Sequence, residues 1–322
     1  MRVAVLFGGN SSEREVSILS AVEVMRALKC LGHQALPVEL TRGLLSDTEQ
    51  NQILNFKLSS QAPKQQLPQR LSVASCLKEA KEIDKVFIAL HGGEGENGTI
   101  QHEIEELGIP FTGSPSAPSA LTMNKHLTKE VYLGQAIPTA HWQLLEDPEA
   151  RTLDFPLIVK PNQEGSSVGV SLAVDEASFR VAFSQAKLFE RFILVESYIK
   201  GAEYTVGVLG DQALSVGGIY PRHSGLFDYG AKYQDGATDE VFPPTDLDHH
   251  RQRELQGYAL KAHQALGLKG YSRSDFMVDA RGSVFTLETN TLPGLTKNSL
   301  LPKSARASGI SFETLIETIL TS

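Results

Sequence analysis

The chain has 322 residues, which is more than one ordinary core accommodates and enough for two or three domains. Its composition, 41% hydrophobic and 21% charged, is ordinary for a globular protein, and no apolar run reaches the roughly 18 residues of a membrane span. The net charge of −8 comes without a basic block, which argues against a nucleic-acid partner.

The first third of the chain predicts a parallel α/β unit. Residues 2–7 and 85–90 are apolar runs typical of buried strands, and residues 35–40 form a weaker one. The two stronger runs each lead into a glycine-rich loop and then a helix with apolar side chains at helical spacing. Alternating strands and helices imply a parallel sheet whose ligands sit beyond the carboxyl ends of the strands. Residues 41–75 are polar and predict a short helix and a loop.

The rest of the chain predicts two α+β units, separated from the first by a Gly-, Ser- and Pro-rich boundary at 113–118. The smaller unit combines helical and strand segments around a glycine-rich turn, at 119–134, 155–161, 166–174, 175–188 and 192–199. The larger unit begins at Glu203. Its predicted strands are 203–209, 213–220, 271–279 and 283–289, its helices are 249–266 and 311–320, and a polar loop spans 221–245.

The N-terminus and the cysteines bear on location. The first apolar stretch is short and runs straight into a glycine turn, so it predicts a strand and not a signal peptide. Cys30 and Cys76 have no metal-ligand or redox spacing, so we expect no disulfide framework. A reducing cytoplasm fits this pattern.

Two glycine-rich loops follow the strands of the first unit. In GGNSSEREVS, Ser12 and Glu15 match a capping box at a helix start, but Glu15 could instead bind an ammonium group. In HGGEGENGT, His91 stands at a strand end with four glycines close behind it. That pattern indicates a backbone close to a ligand or a mobile loop, although a lone loop histidine is more often structural or solvated. The stretch GGNSSE lacks the G-x-G-x-x-G spacing of the dinucleotide-binding fingerprint.

The turn KPNQEGSSVGV offers backbone N–H groups and hydroxyls of the kind that bind phosphate oxygens, at Gly165, Ser166, Ser167 and Gly169. It is not a Walker A loop, because it lacks that spacing and no helix opens after it. Lys160 precedes the turn as either a solvated strand end or a phosphate ligand. Lys125 alone would be interpreted as a surface lysine.

The last two strands carry polar pairs at alternate positions, which place both members of a pair on one strand face. Arg273 and Asp275 form one pair, and Glu288 and Asn290 form the other. A hairpin would bring three oxygen ligands together beside a guanidinium, as in a Mg²⁺-nucleotide site for phosphoryl transfer. A surface salt bridge is the simpler alternative, but it leaves Asn290 unexplained.

Seven stretches together resemble the D-alanine–D-alanine ligase family of the ATP-grasp superfamily. In chain order they read GGNSSEREVS, LHGGEGENGTIQ, KPNQEGSSVGV, VESYIKGAEYTV, DYGAKY, SRSDFMVD and ETNTLPGLTKNSLLP. The resemblance implies an α/β, three-domain ATP-grasp architecture, with an N-terminal parallel-sheet domain and two α+β domains sandwiching ATP. The implied domains are a substrate-binding domain at 1–114, a central domain at 115–197 and a catalytic domain at 198–322.

The resemblance also implies roles for residues at the amino-acid substrates. Glu15 would take the ammonium of the first D-alanine, in a hydrogen-bonded group with Ser166 and Tyr233. His91 would lie beside that substrate. Arg273 and the Gly294 N–H would form the oxyanion site. Ser299 and Leu300 would bind the second substrate.

For the nucleotide, the resemblance implies that Lys125 and Lys160 contact phosphates and that Lys232 reaches the γ-phosphate region. Glu196 and Glu203 would hold adenine and ribose. The glycine-rich turn would contribute Glu164, Gly165, Ser166 and Ser167. Two Mg²⁺ ions, with Mn²⁺ as an alternative, would be bound by Asp275, Glu288 and Asn290.

The implied reaction joins two D-alanine molecules through an acyl phosphate, for peptidoglycan precursor synthesis in the cytoplasm, and the implied assembly is a homodimer. The polar loop at 221–245 would act as a lid. Departures from the family pattern bear on substrate preference, and they are Asn97, His102, Ser272, Ser274, Thr289 and Leu295. Three alternatives stay open: a ligase for D-serine, D-lactate or another acceptor, a nucleotide-binding protein without catalysis, and, weakest, a nicotinamide dehydrogenase.

Overall fold

The computed structural model describes residues 1–56, 68–165, 168–222 and 238–322. Over these ranges the chain is an α/β protein with three sheets, so the predicted fold class is confirmed. No helix in the described ranges is long and apolar enough to cross a membrane. Both cysteines are free thiols.

The first sheet is the predicted parallel one, with a short addition. Its strands are β1 (Arg2–Phe7), β2 (Gln34–Glu39), β3 (Gly43–Leu44) and β4 (Lys85–Ile88), in the order β3-β2-β1-β4. β1 pairs in parallel with β2 and β4, and β3 adds an antiparallel edge that the sequence did not predict. The central strand is fully buried from Val3 onward, as expected of a strand covered on both faces.

Four helices belong to this part of the chain: α1 (Arg14–Cys30), α2 (Asp47–Leu54), α3 (Val73–Leu77) and α4 (Thr99–Glu106). The short helix predicted within 41–75 corresponds to α2, whereas α3 was missed. The capping box predicted at Ser12 and Glu15 is not formed, because the helix starts one residue after Glu13 and has no side-chain cap there.

The second sheet is entirely antiparallel. Its strands are β5 (Trp142–Leu145), β6 (Leu157–Pro161), β7 (Ser171–Ala173) and β8 (Ile193–Ser197), in the order β5-β8-β6-β7. Helix α7 (Glu176–Ala186) covers one face and buries Phe179 and Phe183 against it. The sequence predicted all of these elements except β5.

The third sheet contains five antiparallel strands: β9 (Gly201–Leu209), β10 (Gln212–Pro221), β11 (Thr238–Val241), β12 (Tyr271–Asp279) and β13 (Val284–Asn290). Their order is β11-β10-β9-β12-β13, and helix α8 (His249–Ala265) packs on one face. β11 lies inside the segment predicted as a loop. β12 and β13 form the predicted hairpin.

Four further helices join the three sheets: α5 (Ser116–Met123), α6 (Lys125–Gly134), α9 (Leu300–Ala307) and α10 (Phe312–Thr321). Tyr132 of α6 shares a core with Ala262 of α8, and Leu315 and Ile316 of α10 enter the core of the first sheet. Each sheet falls within one predicted domain, but helices pack across the divisions. The boundaries at 115 and 198 therefore remain predictions.

Candidate active site

Two cavities share Lys125 and Glu288 in their walls. The first has a volume of about 540 Å³, and the second about 480 Å³. These volumes fall in the range of small-molecule sites. Predicted site residues in the wall of the first cavity are His91, Gly165, Arg273, Asn290, Gly294, Ser299 and Leu300. Those in the wall of the second are Lys160, Glu164, Glu196, Glu203 and Asp275.

The β12–β13 hairpin supplies the residues on which the two cavities converge. Its register places Arg273 opposite Asn290 and Asp275 opposite Glu288. Arg273 donates from Nε and Nη2 to the two oxygens of Asp275, at 2.9 and 2.8 Å, and Thr205 binds the same carboxylate at 2.7 Å. Only 13% of the Arg273 side chain and 10% of the Asp275 side chain are exposed, so the pair is not the surface salt bridge considered as an alternative. Burial lowers the pKa of Arg273, but the Asp275 carboxylate raises it by more. The pKa therefore lies above its ordinary value, and the guanidinium stays charged.

The three predicted metal ligands suit a hard cation. Asp275 and Glu288 offer carboxylate oxygens at paired positions, and the Asn290 Oδ1 accepts the Leu292 N–H at 2.8 Å, which fixes the orientation of the amide. No cluster of three or more His, Cys, Asp or Glu side chains with metal-binding geometry occurs in the described ranges. Two carboxylates and one amide fit an ion such as Mg²⁺, which completes its shell with water and phosphate oxygens.

The loop after β1 brings Glu13, and not Glu15, into the described wall of the first cavity. Gly92, at φ +68°, lies against it: a β-carbon on this residue would come within 2.6 Å of the Glu13 Oε2. Glu15 was assigned the ammonium by the resemblance, with the capping box as the structural alternative, but α1 begins right after Glu13 and no side chain caps it there. The role implied for Glu15 stays a prediction, and the geometry favours Glu13.

His91 is buried at the end of β4 and bonded on both ring nitrogens. Its Nδ1 lies 3.0 Å from the carbonyl oxygen of Leu292, and its Nε2 lies 2.8 Å from the hydroxyl of Ser20. Burial lowers the pKa of His91, which favours a neutral ring. Nδ1 then donates to the carbonyl, and the Ser20 hydroxyl donates to Nε2. His91 therefore links the first sheet to the loop that carries Gly294.

Glu96 is a buried carboxyl in the same wall that the sequence argument missed. It accepts the Gly92 N–H at 2.8 Å. Burial, with the nearby charge of Glu13, raises the pKa of Glu96 to about 8. Glu96 lies in the glycine-rich loop HGGEGENGT, in which the sequence predicted only His91 as a site residue.

The wall of the second cavity holds a buried carboxylate between two lysines. The Lys160 Nζ lies 2.6 Å from the Oε2 of Glu196, and the Lys129 Nζ lies 2.7 Å from its Oε1. Burial raises the pKa of Glu196, but the two ammonium groups outweigh it and lower the pKa to about 2. Lys160 is thus not a solvated strand end. Lys129 was not predicted to belong to the site.

Lys125 is largely buried and lines both cavities. Its ammonium donates to the Glu164 carbonyl and lies 4.0 Å from the Oε2 of Glu288. Burial lowers the pKa of Lys125, and Glu288 opposes that effect. Its interpretation as a surface lysine was wrong. Glu164 and Gly165 lie beside it, whereas four predicted site residues fall outside the described ranges, namely Ser166, Ser167, Lys232 and Tyr233.

The end of the first cavity is formed by the loop between β13 and α9. Gly294 lies so close to Ser299 that an added β-carbon would come within 2.7 Å of the serine Oγ. The Ser299 Oγ lies 2.8 Å from the Thr296 hydroxyl. Leu300 begins α9 and lines the same cavity. Gly294, Ser299 and Leu300 therefore lie together, and their predicted roles remain predictions.

Comparison with known proteins places this fold and site among relatives. Residues 2–114 match the family model for the D-ala D-ala ligase N-terminus, and residues 134–321 match that for the C-terminus. A D-alanine–D-alanine ligase from Geobacter sulfurreducens is 40% identical over 328 aligned positions, with 100% of this chain and 93% of the relative covered. One from Stutzerimonas stutzeri is 39% identical, with 99% and 93% covered.

Two solved structures are also similar to this chain. The Bacillus anthracis D-alanine–D-alanine ligase complexed with ATP superposes with a TM-score of 0.77 at 30% identity, covering 100% of this chain and 96% of that one. The VanG D-Ala:D-Ser ligase from Enterococcus faecalis gives 0.81 at 27% identity, covering 99% and 98%. The fold and the paired cavities define an ATP-grasp protein. Within that class, the chain belongs to the D-alanine–D-alanine ligase family.

Proposed function

We propose that this protein joins two D-alanine molecules to D-alanyl-D-alanine at the expense of ATP. The observation that carries the proposal is the buried Arg273–Asp275 pair facing Glu288 and Asn290 where the two cavities meet, in a chain of this family. Family membership supports the reaction class. The hairpin supplies the groups that phosphoryl transfer to a carboxylate needs.

The nucleotide would occupy the second cavity. The apolar residues Ile158 and Val170 and the carboxylates of Glu196 and Glu203 offer surfaces for a base and a ribose. The buried Lys160 and the largely buried Lys125 lie on that wall, and they would neutralise phosphate charge. Mg²⁺, held by Asp275, Glu288 and Asn290, would neutralise further charge when bound.

The amino acids would occupy the first cavity. The carboxylate of the first D-alanine would be attracted to Arg273. Its ammonium would pair with Glu13 or, as the resemblance implies, with Glu15. A carboxylate oxygen would attack the γ-phosphorus, releasing ADP and leaving an acyl phosphate. The amine of the second D-alanine, placed beside Ser299 and Leu300, would attack the acyl carbon, lose a proton and expel phosphate.

Arg273 and the Gly294 N–H would stabilise the oxyanion of the tetrahedral intermediate. Loss of one donor of this kind typically costs about 10²–10³ in rate. Arg273 is suited to the task because its Nε and Nη2 are held by Asp275, which fixes the plane of the guanidinium. Ser166, Ser167, Lys232 and Tyr233, which lie outside the described ranges, keep the roles implied by the resemblance. A homodimer, a cytoplasmic location and a place in peptidoglycan precursor synthesis belong to the same proposal.

The test is purified protein with Mg-ATP and D-alanine, assayed for ADP and for dipeptide, with L-alanine as the control. We expect both products with D-alanine and neither with L-alanine. Asn290→Ala should abolish both, because it removes one of three oxygen ligands. ADP without dipeptide, or no D-alanine-dependent ADP, would refute the assignment. D-serine and D-lactate supplied in competition would show, from the product formed, whether another acceptor is preferred.

A further inference from the structure

Lys129 is a buried cation behind the second cavity, and the proposed function does not use it. Its side chain is 1% exposed, and it is absent from the described lining of the cavity. It lies in the second turn of α6 and contacts Oε1 of Glu196, whereas Lys160 contacts Oε2. A lysine this deep needs compensation for its lost hydration, so its surroundings should show what it does.

The contacts of Lys129 are all of the kind that an ammonium makes. Its Nζ lies 2.7 Å from the Glu196 Oε1, donates to the Thr139 Oγ1 at 2.5 Å, and sits 5.5 Å from the centre of the Trp142 ring. The Thr139 hydroxyl donates its own proton to the Thr286 carbonyl at 2.8 Å, so it can only accept from Lys129. The ammonium is thereby fixed between the second sheet and β13.

The charges of this group do not cancel. Glu196 carries one negative charge, because its two lysine neighbours lower its pKa to about 2 against the opposing effect of burial. If Lys160 were its only partner, the two charges would cancel and the wall would offer the nucleotide a neutral pair. Burial lowers the pKa of Lys129, but the charge of Glu196 opposes that effect, so with Lys129 protonated behind the carboxylate the group of three carries a net charge of +1. The member that borders the cavity with that charge is Lys160.

We propose that Lys129 is a positioning residue that neutralises Glu196 from behind, so that Lys160 keeps its positive charge for the nucleotide phosphates. The inference rests on the proposed function, since it assumes that ATP binds in the second cavity. It assigns Lys129 no contact with the nucleotide. Its effect should therefore grow with the number of phosphates and should nearly vanish for a ligand without any.

The experiment compares dissociation constants of adenosine, ADP and ATP for the wild type and Lys129→Met, measured by equilibrium titration. We expect ATP binding to weaken by about tenfold or more, ADP binding by less, and adenosine binding by no more than about twofold. Equal weakening of all three ligands would overturn the inference, because a distorted cavity would not distinguish them. A wild type that binds none of them would refute the proposed function itself.

A second variant covers the case in which Lys129→Met fails to fold because Glu196 is left with one buried partner. Lys129→Met with Glu196→Gln removes both charges and restores a net charge of +1 on Lys160. The ratio of the adenosine to the ATP dissociation constant should return to within about threefold of the wild-type ratio. A ratio that stays low in this double variant would contradict the charge argument.

Two matched controls separate charge from other effects. Thr139→Val removes the hydroxyl that Lys129 contacts and keeps the charge, so the ratio of the adenosine to the ATP dissociation constant should stay near the wild-type value. Lys187→Met makes the same substitution at an exposed lysine of the same part of the chain, and it should also leave the ratio unchanged. A loss of selectivity in either control would overturn the inference.

Discussion

The His91 ring and the Leu292 carbonyl oxygen lie 3.0 Å apart, although 201 residues separate them in the chain. On the other side of the ring, the hydroxyl of Ser20 bonds to Nε2 and also accepts the Leu295 N–H at 3.4 Å. Both links end on residues that flank Gly294. His91 thus holds the proposed oxyanion loop against the first sheet, through one donor and one acceptor on the same ring.

The two nitrogens of His91 can be tested separately. In His91→Asn the amide nitrogen can take the place of Nδ1 and donate to Leu292, whereas in His91→Gln the terminal amide reaches the place of Nε2. We expect His91→Asn to retain the larger share of kcat, with His91→Gln lower by about tenfold, because an unpaired buried carbonyl costs about 1–3 kcal/mol. Steady-state kinetics with D-alanine measures the difference. Equal kcat values for the two variants would show that the Leu292 contact has no part in catalysis.

Glu96 should make the fold less stable as the pH rises. Its folded-state pKa is about 8, against an ordinary value of 4.5, because burial and then Glu13 disfavour the charged form. The folded protein therefore holds a proton that the unfolded chain releases. This contribution is fully present below pH 4.5 and is lost as the pH rises through about 8. Between pH 4.5 and about 8, the free energy of unfolding should fall by about 2–5 kcal/mol less in Glu96→Gln than in the wild type.

Urea unfolding at several pH values on either side of neutrality measures this effect. Glu79→Gln serves as the control, because Glu79 is an exposed glutamate and should leave the pH profile of the wild type intact. A Glu96→Gln profile that runs parallel to that of the wild type would show that Glu96 titrates normally in the folded protein.

The strands that the sequence predicted well are the buried ones with continuous apolar runs, such as β1 and β4. The elements that it missed depend on distant partners. β11 is four residues of polar sequence, and it is a strand because it pairs with the edge of β10. β5 likewise lies at a sheet edge and pairs with β8, and the burial of its side chains does not alternate. Edge strands of this kind carry little local signal, since their partner supplies the stabilisation.

Among the site residues, too, those with a local sequence pattern were predictable and those that depend on distant partners were not. The Arg273–Asp275 and Glu288–Asn290 pairs were predictable because strand alternation alone fixes which side chains share a face. Lys129 was not, because a lysine in a helical segment is usually solvated, and only the fold brings Glu196 next to it. Glu13 was not predicted, because the resemblance assigned the ammonium contact to Glu15, two residues further along the chain.

Two departures from the family pattern, Ser274 and Thr289, form a buried hydroxyl chain behind the hairpin. The Thr289 Oγ1 lies 2.8 Å from the Ser274 Oγ and 2.6 Å from the hydroxyl of Tyr132. Thr289→Val keeps the shape of the side chain and removes its oxygen, which leaves two buried hydroxyls with one partner fewer. We expect a loss of about 1–3 kcal/mol in the free energy of unfolding. The urea midpoint, at an unchanged m-value, measures it.

The chain offers its own control for this prediction. In the triple variant Thr289→Val, Tyr132→Phe and Ser274→Ala, all three oxygens are gone and no buried hydroxyl lacks a partner. Its stability should exceed the value obtained by adding the losses of the three single variants. Strict additivity would mean that the three hydroxyls do not act as one chain.

Arg273→Lys tests the oxyanion proposal most directly. Arginine engages both oxygens of Asp275 through Nε and Nη2, whereas a lysine ammonium is a single point that cannot hold a fixed plane. The charge is kept, so ATP should bind within about threefold of the wild-type affinity. The oriented donor is lost, so kcat should fall by about 10²–10³.

The matched control is Arg281→Lys, which makes the same change at the exposed turn of the same hairpin and should leave kcat unaltered. Substrate saturation separates the two contributions of Arg273. Weaker binding of D-alanine raises KM, whereas weaker stabilisation of the oxyanion lowers kcat at saturating substrate. If Arg273→Lys raised only KM, the guanidinium would serve to bind the substrate carboxylate. The oxyanion would then depend on the Gly294 N–H and on other donors.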